Sequence, residues 1–202
     1  MTHSGNVRRI GYSEGPGKVR WRRFAILFLP AAAAAAVMVT LTAQGVLAAS
    51  LSVSGTAFEV TASQLHATGF EQFGGFVTEA GHRSHPVAIT ALRSATLTNL
   101  CQSVSVGGVT MRITAGGSGR PVAASNMIID ADQQTGNVTF HNIVIGQDAG
   151  TVTEDPGVSG PAGGFAEQAS SATITDLRQH TWLTTAGTFS LPGLSLSFGR
   201  PC

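Results

Sequence analysis

Residues 94–102 read SATLTNLCQ, and residues 171–179 read SATITDLRQ. Six of the nine positions are identical, and two of the exchanges, Leu97 for Ile174 and Asn99 for Asp176, are like for like. Residues 139–143, TFHNI, repeat the same order of Thr, apolar, polar, Asn or Asp, apolar. Threonine beside β-branched and aliphatic residues favours extended backbone. Each copy reads as a strand whose apolar side chains face a core. The Asn or Asp tolerates a bend or bonds its own backbone. The copies lie 43 and 34 residues apart, which excludes a regular solenoid period. Similar strands in one sheet, or the arms of an old duplication, would produce them.

The flanking sequence follows the same grammar. Leu51-Ser52-Val53-Ser54, Ala57 to Thr61 and Val109 to Thr114 alternate apolar with polar, the pattern of a strand with one face buried. Asn126–Asp132 is expected to pair with Val138–Ile145 across a hairpin tipped by Gly136-Asn137. Residues 165–172, FAEQASSA, read as a short helical turn. Strands are expected near 181–185, 187–191 and 194–198, with Pro192-Gly193 as a tight turn. Residues 69–76, GFEQFGGF, form either a core corner or a ligand-facing aromatic wall. Residues 79–86 read as a loop. Residues 146–164 form a Gly- and Pro-rich loop, long enough to be mobile or functional. The expectation is a mainly β single domain of antiparallel strands at 50–202, as a sandwich or a curved open sheet, with an irregular β-helix as the alternative.

Ahead of that domain lies one apolar segment. Residues 1–23 are basic and read as a cytoplasmic tail. Residues 24–49, FAILFLPAAAAAAVMVTLTAQGVLAA, contain no ionisable side chain. As a helix they would extend about 39 Å at ~1.5 Å per residue, against a hydrocarbon core of ~30 Å. Val46-Leu47-Ala48 offers an export cleavage site before Ala49, and the alanine block and Pro30 weaken a permanent span. The segment is a signal peptide or a signal-anchor helix, so residues 50–202 are expected outside the cytoplasm, secreted or tethered to the cell membrane.

Charge divides at the same boundary. Six of the twelve basic residues precede Ser50, whereas residues 50–202 hold six arginines, no lysine and ten carboxylates, a formal charge of −4. An acidic domain without a basic patch excludes a nucleic-acid reader. The basic leader suits the inner leaflet of a membrane. The two cysteines, Cys101 and Cys202, both follow the apolar run and are expected to form a disulfide in an oxidising compartment.

Catalytic signatures are missing. No Gly-x-Ser-x-Gly elbow occurs, and Ser118 and Ser159 sit in loop-like stretches. A convergent serine site would have His66, His82, His85, His141 and His180 to draw on. For metal, His82-x-x-His85, Asp130-x-Asp132 and Glu154-Asp155 are read as solvated groups, so no metal and no cofactor is expected.

Taken together, Trp21-Arg22-Arg23-Phe24 before the apolar run, ATLTNLCQS at 95–103, FAEQA at 165–169, ATITDLRQ at 172–179, AGTFSL at 186–191 and the final Cys202 make the chain resemble a family of exported actinobacterial proteins of unknown function. The resemblance runs from about Trp21 to Cys202. Members often carry an automatic cholesterol esterase label, which no motif here supports. The resemblance also implies a small multi-span membrane protein as partner, and it carries no established functional residues. Two functions are therefore expected. One is a non-enzymatic, extracytoplasmic, membrane-associated domain that binds a lipid-like ligand or a membrane partner. The other is a lipid or sterol ester hydrolase with an unorthodox serine.

Overall fold

The computed structural model describes residues 54–202 apart from residues 82 and 156. The cytoplasmic tail, the apolar segment and His82 lie outside the described residues. Nine strands form one antiparallel sheet: β1 (Phe58–Thr78), β2 (Ser84–Thr98), β3 (Leu100–Val106), β4 (Val109–Ala115), β5 (Val122–His141), β6 (Val144–Asp148), β7 (Phe165–Thr185), β8 (Thr188–Ser190) and β9 (Ser195–Phe198). A 3-10 turn spans Ala149–Thr151. This is the expected mainly β, antiparallel domain, realised as a single curved sheet.

The two copies of the repeat explain the centre of the sheet. β2–β3 and β7 flank β1, both antiparallel to it, in the same register. Leu65 lies opposite both Leu97 and Ile174, Ala67 opposite both Ala95 and Ala172, and Val60 opposite both Gln102 and Gln179. Equivalent side chains therefore meet the same partner from either side. Leu65, Leu97, Ile174, Leu100 and Leu177 are all buried in the main core.

β5 then pairs with β2 through residues 122–131 and with β7 through residues 128–141, which closes the pairings β1–β2–β5–β7 into a circuit. From Ala95, one way round leads through Ala124 to Phe189, and the other through Ala67 to Ala172. The two arrivals lie seventeen residues apart along the path of β7 and β8. So large a stagger requires the strands to coil steeply about the core. The sheet keeps free edges at β6 and β9 among the described residues.

Two transverse rows of special backbone permit that coiling. Asn99 (φ 53°), Asp176 (φ 55°) and Gly116 (φ 76°) share one row with Ser63. Gly69 (φ 64°), Asn126 (φ 47°) and Asn142 (φ 54°) share the other with Arg93 and Ser170. Asn and Gly enter the left-handed region at the least cost. Gly69 admits no side chain, because an added Cβ would stand 2.7 Å from Arg93 Cβ and 2.8 Å from the Glu154 carbonyl oxygen. At each row the in-out alternation slips by one. The main-core side chains of β1 accordingly run 60, 62, 65, 67, 70, steps of two broken by steps of three.

Three expectations are corrected by this arrangement. Residues 126–145 are not a hairpin, because β5 runs through Gly136-Asn137 as part of one twenty-residue strand. FAEQASSA is strand, not helix: it pairs with β1 as part of β7, and the second row crosses at Ser170, between the buried Ala169 and Ala172. Residues 79–86 are largely paired: the Glu79 N–H donates to the Arg83 carbonyl (2.8 Å), and β2 pairs with β1 from Ser84 onward. The Val106-Gly107-Gly108-Val109 hairpin has φ of 58° and 80° at its two glycines, as a tight two-residue turn between twisted strands requires.

Cys101 and Cys202 are joined by a disulfide, with Cα atoms 5.9 Å apart. The Cys202 N–H also donates to Ser103 Oγ (3.1 Å). The end of the chain is thereby fastened to β3, next to the four-residue edge strand β9.

A candidate apolar cleft and its polar rim

Where β1 begins, β2 passes into β3, and β7 ends, the core opens into a cleft of about 420 Å³. Its walls are apolar: Phe58 and Val60 from β1, Leu97 and Leu100 from either side of the Asn99 hinge, Met127 and Ile129 from β5, Leu183 from β7. Phe189, from β8, stands half-exposed at the mouth. Gln102 and Gln179, the last residues of the two repeat copies, bring amides to the cleft. Gln179 Nε2 is already engaged by Gln134 Oε1 (2.7 Å). A concave, mainly apolar wall with a few polar groups is the general form of a small-molecule site.

Trp182 lines the cleft and also begins a polar chain beside it. Its Nε1–H donates to Asp132 Oδ2 (2.9 Å), and Asp132 Oδ1 bonds His180 Nδ1 (2.6 Å). The indole ring stacks on His85 at 3.9 Å between centroids, and His85 Nε2 bonds Glu79 Oε1 (2.6 Å). Partial burial works against the Asp132 charge, but the bonds from Trp182 and His180 outweigh it and hold the carboxyl below its ordinary range. Nearby Asp130 is buried with Oδ1 unpartnered, and burial pushes its pKa up to about 6. Asp130 was expected to be solvated alongside Asp132; β5 instead tucks it beneath its neighbours.

Glu154-Asp155 also departs from a solvated loop. The long loop is strapped to the sheet where the Asp155 N–H donates to Glu71 Oε1 (2.6 Å), the Thr153 N–H donates to Gln168 Oε1 (2.8 Å) and the Arg93 guanidinium reaches the Glu154 carbonyl. Glu71 is fully buried. Burial raises its pKa, the Asp155 and Glu154 charges add to that, and the backbone N–H bonds from Asp155 and Glu154 oppose it. Burial likewise raises Asp155, against the attraction of Arg93. The aromatic stretch 69–76 divides: Phe70 and Phe73 are core, and Phe76 is exposed.

The serine candidates are not assembled into a site. Ser118 occupies the turn after β4 and Ser159 the loop against Phe73, and neither hydrogen-bonds a histidine among the described residues. His66 bonds Thr173 Oγ1 (2.9 Å) with no carboxylate behind it, and His141 is exposed. The cleft itself escaped sequence reading, although its two glutamines close the repeat. No local motif marks a cavity whose walls come from six strands.

Residues 54–202 match a protein-family model described as a family of unknown function, DUF6230. No curated protein and no solved structure matches the chain.

Proposed function

The chain belongs to the DUF6230 family of unknown function, and we propose that it is a non-enzymatic, extracytoplasmic, membrane-associated domain that holds a lipid-like apolar ligand in the cleft. The observation that carries this reading is the cleft, about 420 Å³ of space walled by core side chains and opening past Phe189. Burying ten methylenes there would contribute about 8 kcal/mol, at ~0.8 kcal/mol each. The cost of association, at least ~4 kcal/mol, leaves an affinity suited to reversible carriage. Gln102 and Gln179 would orient a polar head. The apolar segment at 24–49 supports placement at a membrane, as a cleaved signal or as a tether, and a small multi-span membrane protein is the partner the resemblance suggests.

Uptake of cis-parinaric acid by the full chain tests this. Fluorescence should rise saturably, and Ala186→Trp, which fills the mouth, should weaken binding at least about tenfold while the melting temperature holds. Equal uptake by both proteins would place the probe elsewhere and sink the reading.

A further inference from the structure

We propose that the cleft is the inner half of a longer site, which holds an uncharged lipid whose two apolar arms meet at an ester. The proposal rests on the cleft as the ligand site and names the class of ligand. Residues opposite each other on paired strands share a face of the sheet. Register therefore carries the floor of the cleft outward. Gln179, Val60 and Gln102 form one transverse row inside the cleft, and the same row continues through Ile113 of β4 to Leu196 of β9. Two residues further along each of the outer strands, Val104, Met111 and Phe198 stand in line on that same face. None of these five outer side chains lines the cleft itself. Three strand spacings of ~4.8 Å carry the apolar floor about 14 Å beyond Val60. Leu196 is 55 % exposed and Phe198 69 %, so the outer half is an open strip. A contiguous apolar strip of this kind marks an interaction surface. Because it is floored by the same rows as the cleft, its cover is the remainder of the molecule that the cleft holds.

The missing charge sets the chemistry of that molecule. No residue lining the cleft ionises, and none in the two rows does. The charged neighbours Glu59, Arg112 and Arg178 alternate with the rows and project from the reverse face, on the side of Cys101 and Ser103. A charged head held between two apolar stretches would lose water and gain no counter-charge. An uncharged polar group needs only a hydrogen-bond partner. Gln102 supplies one at the place where the cleft ends and the strip begins, between Val60 and Ile113. Gln179 Nε2 is taken by Gln134, whereas the Gln102 side chain makes no hydrogen bond among the described residues. The Gln102 Nε2–H would donate to a carbonyl oxygen at the junction of the two arms. One polar group with an apolar arm on either side is the pattern of a long-chain ester. A fatty acid would use the cleft alone, with its carboxylate left in water at the mouth.

Methyl NMR of the full chain labelled at methionine reads both halves, because Met127 lines the cleft and Met111 stands in the outer strip. The titrants are dodecanoate, dodecyl dodecanoate and didodecyl ether, the last two delivered from cyclodextrin. Dodecanoate should move Met127 alone. The ester should move Met127 and Met111 together, at one apparent affinity. Leu196→Gln should weaken the ester about fivefold through the lost apolar contact and leave dodecanoate unchanged. The ether, which lacks the carbonyl, should bind about tenfold more weakly than the ester. An ester that moves Met127 without Met111 overturns the proposal and leaves the cleft reading standing. An ether that binds as tightly as the ester overturns it in the same way. Silence at both methyls removes the cleft reading, and this proposal with it.

Discussion

Asn99 and Asp176 do the same work at equivalent places in the two repeat copies. Each takes a left-handed φ, and each stands opposite Ser63, whose Oγ accepts a bond from Asn99 Nδ2 (3.1 Å). A β-branched residue there would force strain that asparagine and glycine escape. Asn99→Val and Asp176→Val should each cost about 2 kcal/mol in urea unfolding, and the glycine variants under about 1 kcal/mol. The bend was readable from the repeat because Asn and Asp recur where the pattern changes phase. Asp130 offers a second residue-scale test. Its folded pKa, about 6, lies above its ordinary value of 3.8. A raised carboxyl contributes stability that is full below the unfolded pKa and is lost as pH rises through the folded one. Stability should therefore fall between pH 4 and pH 6. Asp130→Asn should flatten that window and raise the melting temperature at pH 7.5 while changing little at pH 4. Unchanged pH dependence in the variant would show that the carboxyl is not buried as described.

At the scale of elements, the hinge rows decide what sequence could reveal. Between rows, side chains alternate with period two, and β4 is legible from Val109 to Thr114. Across a row the step becomes three. A strand crossing it then imitates the spacing of a helix, as β7 does from Ala169 to Ala172. The same effect hid the continuity of β5, where Gly136-Asn137 has the composition of a hairpin tip. Gly136 is there for close approach: an added Cβ would stand 2.8 Å from Ile174 Cγ2. The edge strand β9 shows the opposite dependence, on covalent rather than backbone chemistry. It has four residues, pairs only with β4, and is followed by the cystine. Closing a loop of about 100 residues stabilises by at most ~4.7 kcal/mol in the chain-entropy account. Cys101→Ser with Cys202→Ser should lower the stability by 2–4 kcal/mol. Hydrogen exchange in the double variant should quicken first at Leu196 and Phe198, ahead of β1; uniform acceleration would mean that the disulfide does not act locally.

For the molecule as a whole, the antiparallel β class and the pairing of Cys101 with Cys202 followed from composition and compartment logic. The closed circuit of pairings did not, because a seventeen-residue stagger is a property of four strands at once and leaves no local mark. Nor did the cleft, whose walls meet only after that circuit has formed. Met127 lines the cleft, whereas Met111, on β4 opposite Phe198, lies outside its lining. Methyl NMR of the full chain labelled at methionine, titrated with monomeric dodecanoate, separates them in one spectrum. The account predicts a saturable shift of the Met127 methyl, with Met111 unmoved. A silent Met127, or a shift confined to Met111, would contradict it.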